Sequence, residues 1–174
     1  MQHVCSIAAP MKDKSRRWLS DSIRKHLIPA FLHRGFHLVP LNGHDAERGE
    51  IRSIFPFGRL RRETVGGYEM IEIQFDRHGR AAFRLNIGVA PTAGIEHAAG
   101  PVAQEDIWMH FLDRYGEVYH FPLLRRWFSL WCWERRTATE SDFDALVKGV
   151  AALVPELERA LSSGRNTRHV RWVG

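Results

Sequence analysis

The sequence predicts an α+β fold in a single domain, with a mainly antiparallel sheet and helices packed on one of its faces. Three observations carry that expectation. Two alternating apolar runs, residues 68–75 and 81–89, flank a turn-rich stretch; apolar residues recur at helical spacing near both ends of the chain; and no repeat or linker divides the 174 residues. A chain of this length buries roughly 70% of its unfolded surface, enough for one core. Residues 1–174 are therefore read as one domain, with 1–11 and 165–174 as flexible tails.

The first helix is marked by Leu19, Ile23, Leu27 and Phe31 at steps of four, with Ser15 as its cap and Gly35 just past its end. Pro29 falls inside this pattern and should kink it or split off the last turn. An extended piece, His37–Leu41, leads into a turn at Asn42-Gly43-His44-Asp45. Ile51–Phe57 is expected to add a strand, with Pro56 placing it at an edge or bulge.

The hairpin is the clearest element. Ile71, Ile73 and Phe75 alternate with Glu72 and Gln74, and Phe83, Leu85, Ile87 and Val89 alternate with Arg84 and Asn86. With Asp76-Arg77-His78-Gly79-Arg80 as the turn, Phe75 pairs with Ala81, Ile73 with Phe83, and Ile71 with Leu85. Glu72 then faces Arg84 as a cross-strand ion pair.

Ile107, Trp108, Phe111, Leu112 and Tyr115 have the spacing of an amphipathic helix stopped by Gly116. Trp127–Glu134 is apolar on both faces and reads as a covered strand. A long helix should start at Ser141 with Asp144 as its capping carboxylate, bend or split at Pro155, and end at Gly164. Val170 and Trp172 suit a short strand in the basic tail. The sheet should thus hold about four to six strands, with helices on one side.

Composition narrows the functional classes. Hydrophobic residues at 44% and charged residues at 26% exclude a disordered or fibrous chain. Cys5 and Cys132 cannot build a disulfide framework, and no window holds ~18 uncharged apolar residues. A cytoplasmic protein with no membrane partner is expected. Arginine outnumbers lysine 21 to 4, the skew of a GC-rich bacterial genome.

Signatures of catalysis are missing: no Gly-rich phosphate loop, no G-x-S-x-G, no H-E-x-x-H, no C-x-x-C. The chain is accordingly read as non-catalytic, with no cofactor and no metal. Cys132, between Trp131 and Trp133, reads as a small core residue; the Trp127, Ser129, Trp131, Trp133 row either stacks on a partner or is buried. Charge is segregated instead. Residues 1–40 carry seven Lys/Arg against two acids, while residues 101–124 set Arg114 against Glu105, Asp106, Asp113 and Glu117. Such polarity steers charged partners.

The best-defined candidate surface is the polar hairpin face, Glu72, Gln74, Arg84 and Asn86, continued by Tyr68 and Met70. Arg59, Arg61 and Arg62 form a basic cluster beside a strand, and with Arg165, Arg168 and Arg171 they support nucleic-acid binding as an alternative. Glu105, Asp106 and His110, close together on a helix, support a metal-dependent hydrolase as another.

Several runs resemble a bacterial domain-of-unknown-function family of small α+β proteins. They are Ala30-Phe31-Leu32-His33-Arg34-Gly35-Phe36 at the end of the first helix, Phe83-Arg84-Leu85-Asn86-Ile87-Gly88-Val89 as a central strand, and Trp127-Phe128-Ser129-Leu130 before the last helix. The chain departs from that pattern in its long Ile51–Arg62 segment and its 92–124 insertion. That family's fold is similar to small immunity-type proteins, so the resemblance implies another protein as partner and carries over no catalytic residue.

Overall fold

The hairpin forms the middle of the sheet. The computed structural model describes residues 8–97, 100–120, 125–130 and 137–174, with side chains from residue 14 onward except at Glu105. Strands β1 (His37–Val39), β2 (Arg59–Thr64), β3 (Gly67–Phe75) and β4 (Ala82–Pro91) run antiparallel in that spatial order. A small ribbon follows, β5 (Ile95–His97) with β6 (Gly100–Val102). Beyond β4 the main sheet continues with β7 (Tyr115–Val118), while β8 (Phe128–Ser129) pairs with β4 and β9 (Val170–Val173) lies outside β7, giving seven strands. This is the predicted α+β class with one strand more than expected. Among the described residues no helix is long and apolar enough to cross a membrane.

The hairpin register differs from the predicted one by two residues. Phe75 faces Phe83, Ile73 faces Leu85, Ile71 faces Ile87, and Glu72 faces Asn86 rather than Arg84. Asp76 sets the difference. Its N–H donates to Ala82 O (3.0 Å), and its carboxylate accepts from the N–H groups of His78 (2.9 Å) and Arg80 (3.3 Å). The loop therefore spans 76–81, one residue longer than the predicted turn. An even shift leaves each side chain on its own face, so the apolar side stays apolar.

That apolar face carries Leu60, Ile71, Ile73, Phe75, Phe83, Leu85, Ile87, Val118 and Val170, all buried. Against it pack Leu19, Ile23, Leu27 and Phe31 from the N-terminal helices and Phe143, Val147, Val150, Leu157 and Leu161 from the C-terminal ones. Each such side chain contributes about 1.5–3 kcal/mol on burial.

Helix α1 (Ala8–Ser22) runs into a π turn, Ile23–Leu27, and then α2 (Ile28–Leu32). Pro29 accounts for this. It has no N–H for the Lys25 carbonyl and its ring would press on that carbonyl, and the wider turn, closed by Ile28 N–H to Ile23 O, absorbs both effects. Gly35 then ends the segment with φ +81°, a left-handed conformation that glycine takes without a Cβ clash. At the other end Pro155 separates α5 (Glu140–Ala151) from α6 (Val154–Ser163), where it sits in the first turn and needs no donor. The capping carboxylate is Asp142, accepting from Thr139 N–H (2.8 Å) and Oγ1 (2.7 Å). Asp144, expected in that role, instead accepts from Ser22 Oγ and Lys25 Nζ, each at 2.7 Å, and ties α5 to the first helical segment.

Two further expectations are overturned. The segment 51–57 is no strand: α3 (Gly43–Glu47), capped by Asn42, leads into α4 (Gly49–Ile54). Ile51, Ile54 and Phe55 stand at i, i+3 and i+4, so helical packing satisfies the same residues. The segment 107–115 is no helix: one 3₁₀ turn, Gln104–Asp106, precedes it, a second, Met109–Phe111, lies within it, and β7 follows. The short strand expected at Val170 and Trp172 forms as β9, Val170–Val173, and pairs with β7. Of the predicted strand Trp127–Glu134, only Phe128 and Ser129 are seen in the ladder; Trp131, Cys132 and Trp133 lie outside the described residues.

On its outer edge β4 has two successive neighbours. Ala82 and Phe83 pair with β8, Asn86 and Ile87 pair with β7, and Arg84 and Leu85 fall between them.

Candidate functional site

The polar hairpin face predicted as a binding surface is roofed over. The strap 104–112 crosses it, burying Ile107 and Met109 beside Met70 and Ala90, and Trp108 against Phe55. Gly88 permits the close approach, since a Cβ there would stand 2.6 Å from Met109 Sδ. Beneath the strap Glu72 and Asn86 are buried, and so are Arg59 and Arg61 from β2. The polar groups hold the strap by directed bonds. Arg59 Nη1 donates to Ile107 O (2.8 Å), Met109 N–H donates to Glu72 Oε1 (2.7 Å), and Trp108 Nε1 donates to Asp45 Oδ2 (3.1 Å). The Arg59 guanidinium also stacks over the Trp108 ring at 4.4 Å. These same bonds explain why 107–115 does not become a helix: its backbone groups at 107 and 109 are taken by sheet side chains.

Burial pushes the Glu72 carboxyl up to about 7, against the opposing pull of the Met109 N–H, the Arg59 charge and the Asn86 amide. Burial likewise lowers Arg59, with Glu72, its cross-strand neighbour, acting the other way. Glu72 is 2% exposed, so this perturbed carboxyl is a structural group sealed from substrate.

The remaining predicted residues scatter. Arg62 leaves the basic cluster for the opposite face of the sheet, where it pairs with Glu69 (2.5 Å) and Glu158 (2.7 Å). With Arg59 and Arg61 buried, no phosphate-binding patch exists at 59–62, and the nucleic-acid alternative loses that support. Asp106 accepts from Asn42 Nδ2 (3.1 Å), and the His110 ring lies on Phe111 (4.3 Å) with its imidazole pKa lowered by burial and by nearby His97. Without the helix, the spacing argument for a Glu105–Asp106–His110 metal group fails; among the described residues no group of three potential ligands converges.

Gln74 and Arg84 stay half-buried at the edge of the strap and lead to the surface feature that survives. Arg84 Nε donates to Gln74 Oε1 (2.7 Å), and its guanidinium stacks on Trp127 at 5.5 Å. Trp127 in turn walls a trough between β8 and α5. One section, about 270 Å³, is lined by His120, Arg125, Trp127, Ser129, Asp142 and Leu146 among others. A second, also about 270 Å³, continues from the shared His120, Ala145 and Leu146 to Phe128, Gly149, Val150, Leu153 and His169. Along α5 from Asp142 to Val150 the trough runs ~12 Å.

Its geometry follows from local sequence. Ala145 and Gly149, one helical turn apart, leave the floor low, and a Cβ at Gly149 would meet nothing within 4 Å. Mutual backbone hydrogen bonds between His120 and Arg125 (2.7 and 3.3 Å) fix one wall. At the far end His169 is anchored to α6, its N–H and Nδ1 both bonded to Glu156 (2.8 and 2.7 Å). Burial opposes ionisation of Glu156, but bonds from Thr167 and His169 win and hold its carboxyl down at about 2. The sequence reading flagged Trp127 and missed Ala145, Gly149 and Asp142, whose shared helix face away from the core stripe was the available signal.

No family model matches this chain, no curated protein matches it in sequence, and no solved structure matches it in fold. The α+β class and the two surfaces described above therefore rest on the residues themselves.

Proposed function

We propose that this chain is a non-catalytic protein-binding domain whose partner lays a segment of its own chain along the α5 trough. The observation that carries this reading is the trough's form. It is elongated and low-walled, its floor offers the half-buried Leu146 and Leu153, and its rim carries Arg125, His120 and His169 as well as Asp142. An apolar floor buries a partner's side chains while rim charges of both signs set its direction and register. The resemblance to immunity-type proteins supplies a more specific form, in which the partner is a toxin-class enzyme that loses activity when bound.

Gly149→Arg tests the reading. The position is exposed and open, so the arginine fills the trough without disturbing the fold, and replacing a helical glycine in the last turn of α5 should leave Tm unchanged or slightly raised. Affinity capture with the full chain should recover a protein that the variant loses. Identical recoveries with both chains, or small-molecule turnover abolished by the variant, would overturn the proposal.

A further inference from the structure

The strap 104–112 is fastened to the sheet without being part of it. It lies between β6, which ends at Val102, and β7, which begins at Tyr115, and none of its residues enters a ladder. Ile107 and Met109 pack with Met70 and Ala90 in a small cluster separate from the main core. Lifting the strap therefore breaks that cluster and leaves the helix-side core and the strand ladder standing. Beneath it Glu72 accepts from the Met109 N–H (2.7 Å) and the Asn86 amide, and feels the charges of Arg59 from β2 and Arg84 from β4. The Arg59 guanidinium is spent on Ile107 O, an acceptor that Arg61 shares at 3.3 Å. Glu117 of β7, across from Asn86, is committed to Arg126 (2.6 Å) and Tyr119 (2.8 Å). On the strap itself Asp106 bonds to Asn42 and the His110 ring lies on Phe111, while Asp45 holds the Trp108 indole. Among the described residues no cation forms an ion pair with Glu72.

A carboxyl so placed has neither water nor a bonded counter-ion, so its charged form is far costlier under the strap than in the open. The closed face also leaves Arg59 Nε buried without a partner, a donor that water satisfies once the strap is off. We propose that the strap is a pH-operated cover: loss of the Glu72 proton loosens it, and lifting it bares Arg59, Arg61, Glu72 and Asn86. Burial holds the Glu72 carboxyl at about 7 in the closed state, against the ordinary 4.5 in water. The open state thus gives up the proton first. The balance moves toward opening as pH rises from 4.5 to 7 and levels off above, where the closed state is ionised too. The cover is a local device, and it depends neither on the trough nor on a partner bound there.

Native-state hydrogen exchange of the full chain in low denaturant separates strap opening from unfolding. The Met109 amide should lose roughly thirtyfold in protection between about pH 5 and pH 7. Its exchange should not respond to denaturant, because strap opening exposes little surface. Ile71 and Ile73, inside β3, should stay better protected at both pH values and exchange in a denaturant-dependent way. Glu72→Gln keeps an acceptor for the Met109 N–H but cannot ionise, and should make Met109 protection independent of pH. In the unaltered chain, a carbon-detected NMR titration of the Glu72 carboxyl should have its midpoint near 7. A midpoint near 4.5, Met109 exchange that follows Ile73 in denaturant, or an equal pH response in Glu72→Gln would each overturn the cover.

Discussion

The two faces of the sheet are held by different physics. On one, Phe75, Phe83, Leu85 and Ile87 meet helices through undirected apolar contact, and a register two residues from the predicted one still buries the same set. On the other, Arg59, Glu72 and Asp45 each bind a particular atom of the strap, the Ile107 carbonyl, the Met109 N–H and the Trp108 indole. The difference teaches that burial alone does not identify a core. Apolar burial tolerates displacement; polar burial holds only while each group keeps its partner.

Mutations separate the two regimes. The largest effect should come from Phe83→Ala, which empties a fully buried site against Phe128, 5.3 Å away between ring centroids. Chemical denaturation should show a loss of about 3–5 kcal/mol at any pH. Next comes the polar face, where the response should depend on pH. Glu72 takes up its proton more readily folded than unfolded, since its carboxyl is raised from the ordinary 4.5 to about 7. The folded state therefore binds more protons between those values, and stability falls as pH rises through that window. Glu72→Gln keeps an oxygen for the Met109 N–H and should remove that slope, on the order of 2–3 kcal/mol across it. Glu156 acts with the opposite sign. Its depressed carboxyl stabilises the fold above pH 4.5, and that contribution is lost as pH falls toward 2.

Trp108→Phe keeps the ring against Phe55 but deletes the bond to Asp45 Oδ2, leaving a buried carboxylate oxygen without its indole donor. About 1–2 kcal/mol should be lost in thermal or urea melts. The smallest effect is expected at the strap's margin: Arg84→Ala breaks the bond to Gln74 and the stack on Trp127, costing under ~1 kcal/mol. If it weakens partner capture by more than that, the trough wall depends on Arg84; if it destabilises as much as Phe83→Ala, the division between the faces is wrong.

The apolar half of this architecture was legible because periodicity reports burial directly. Leu19, Ile23, Leu27 and Phe31 announce the first helix, and the alternation from Ile71 to Val89 announces the central hairpin. The polar half was not, because a charged residue on a strand looks solvent-facing until something covers it. Glu72 and Arg59 read as surface for that reason, and Ile107–Tyr115 read as helix because its apolar spacing cannot show that its backbone is bonded to distant side chains. The candidate site was less legible still: His120 and Leu146, distant in sequence, line one trough only through tertiary packing.

A strand bordered by two separate neighbours on one edge can open in halves. Because β8 and β7 take different stretches of β4, with Arg84 and Leu85 between them, local unfolding of the Phe128–Ser129 end need not disturb the β4–β7–β9 ladder. Amide protons at Phe128 and Ser129 would then exchange through small openings, and those at Glu117 and Val118 only through larger ones. The Phe128–Ser129 wall of the trough can thus open separately from the β4–β7–β9 ladder, at the cost of the Phe128 contact with Phe83.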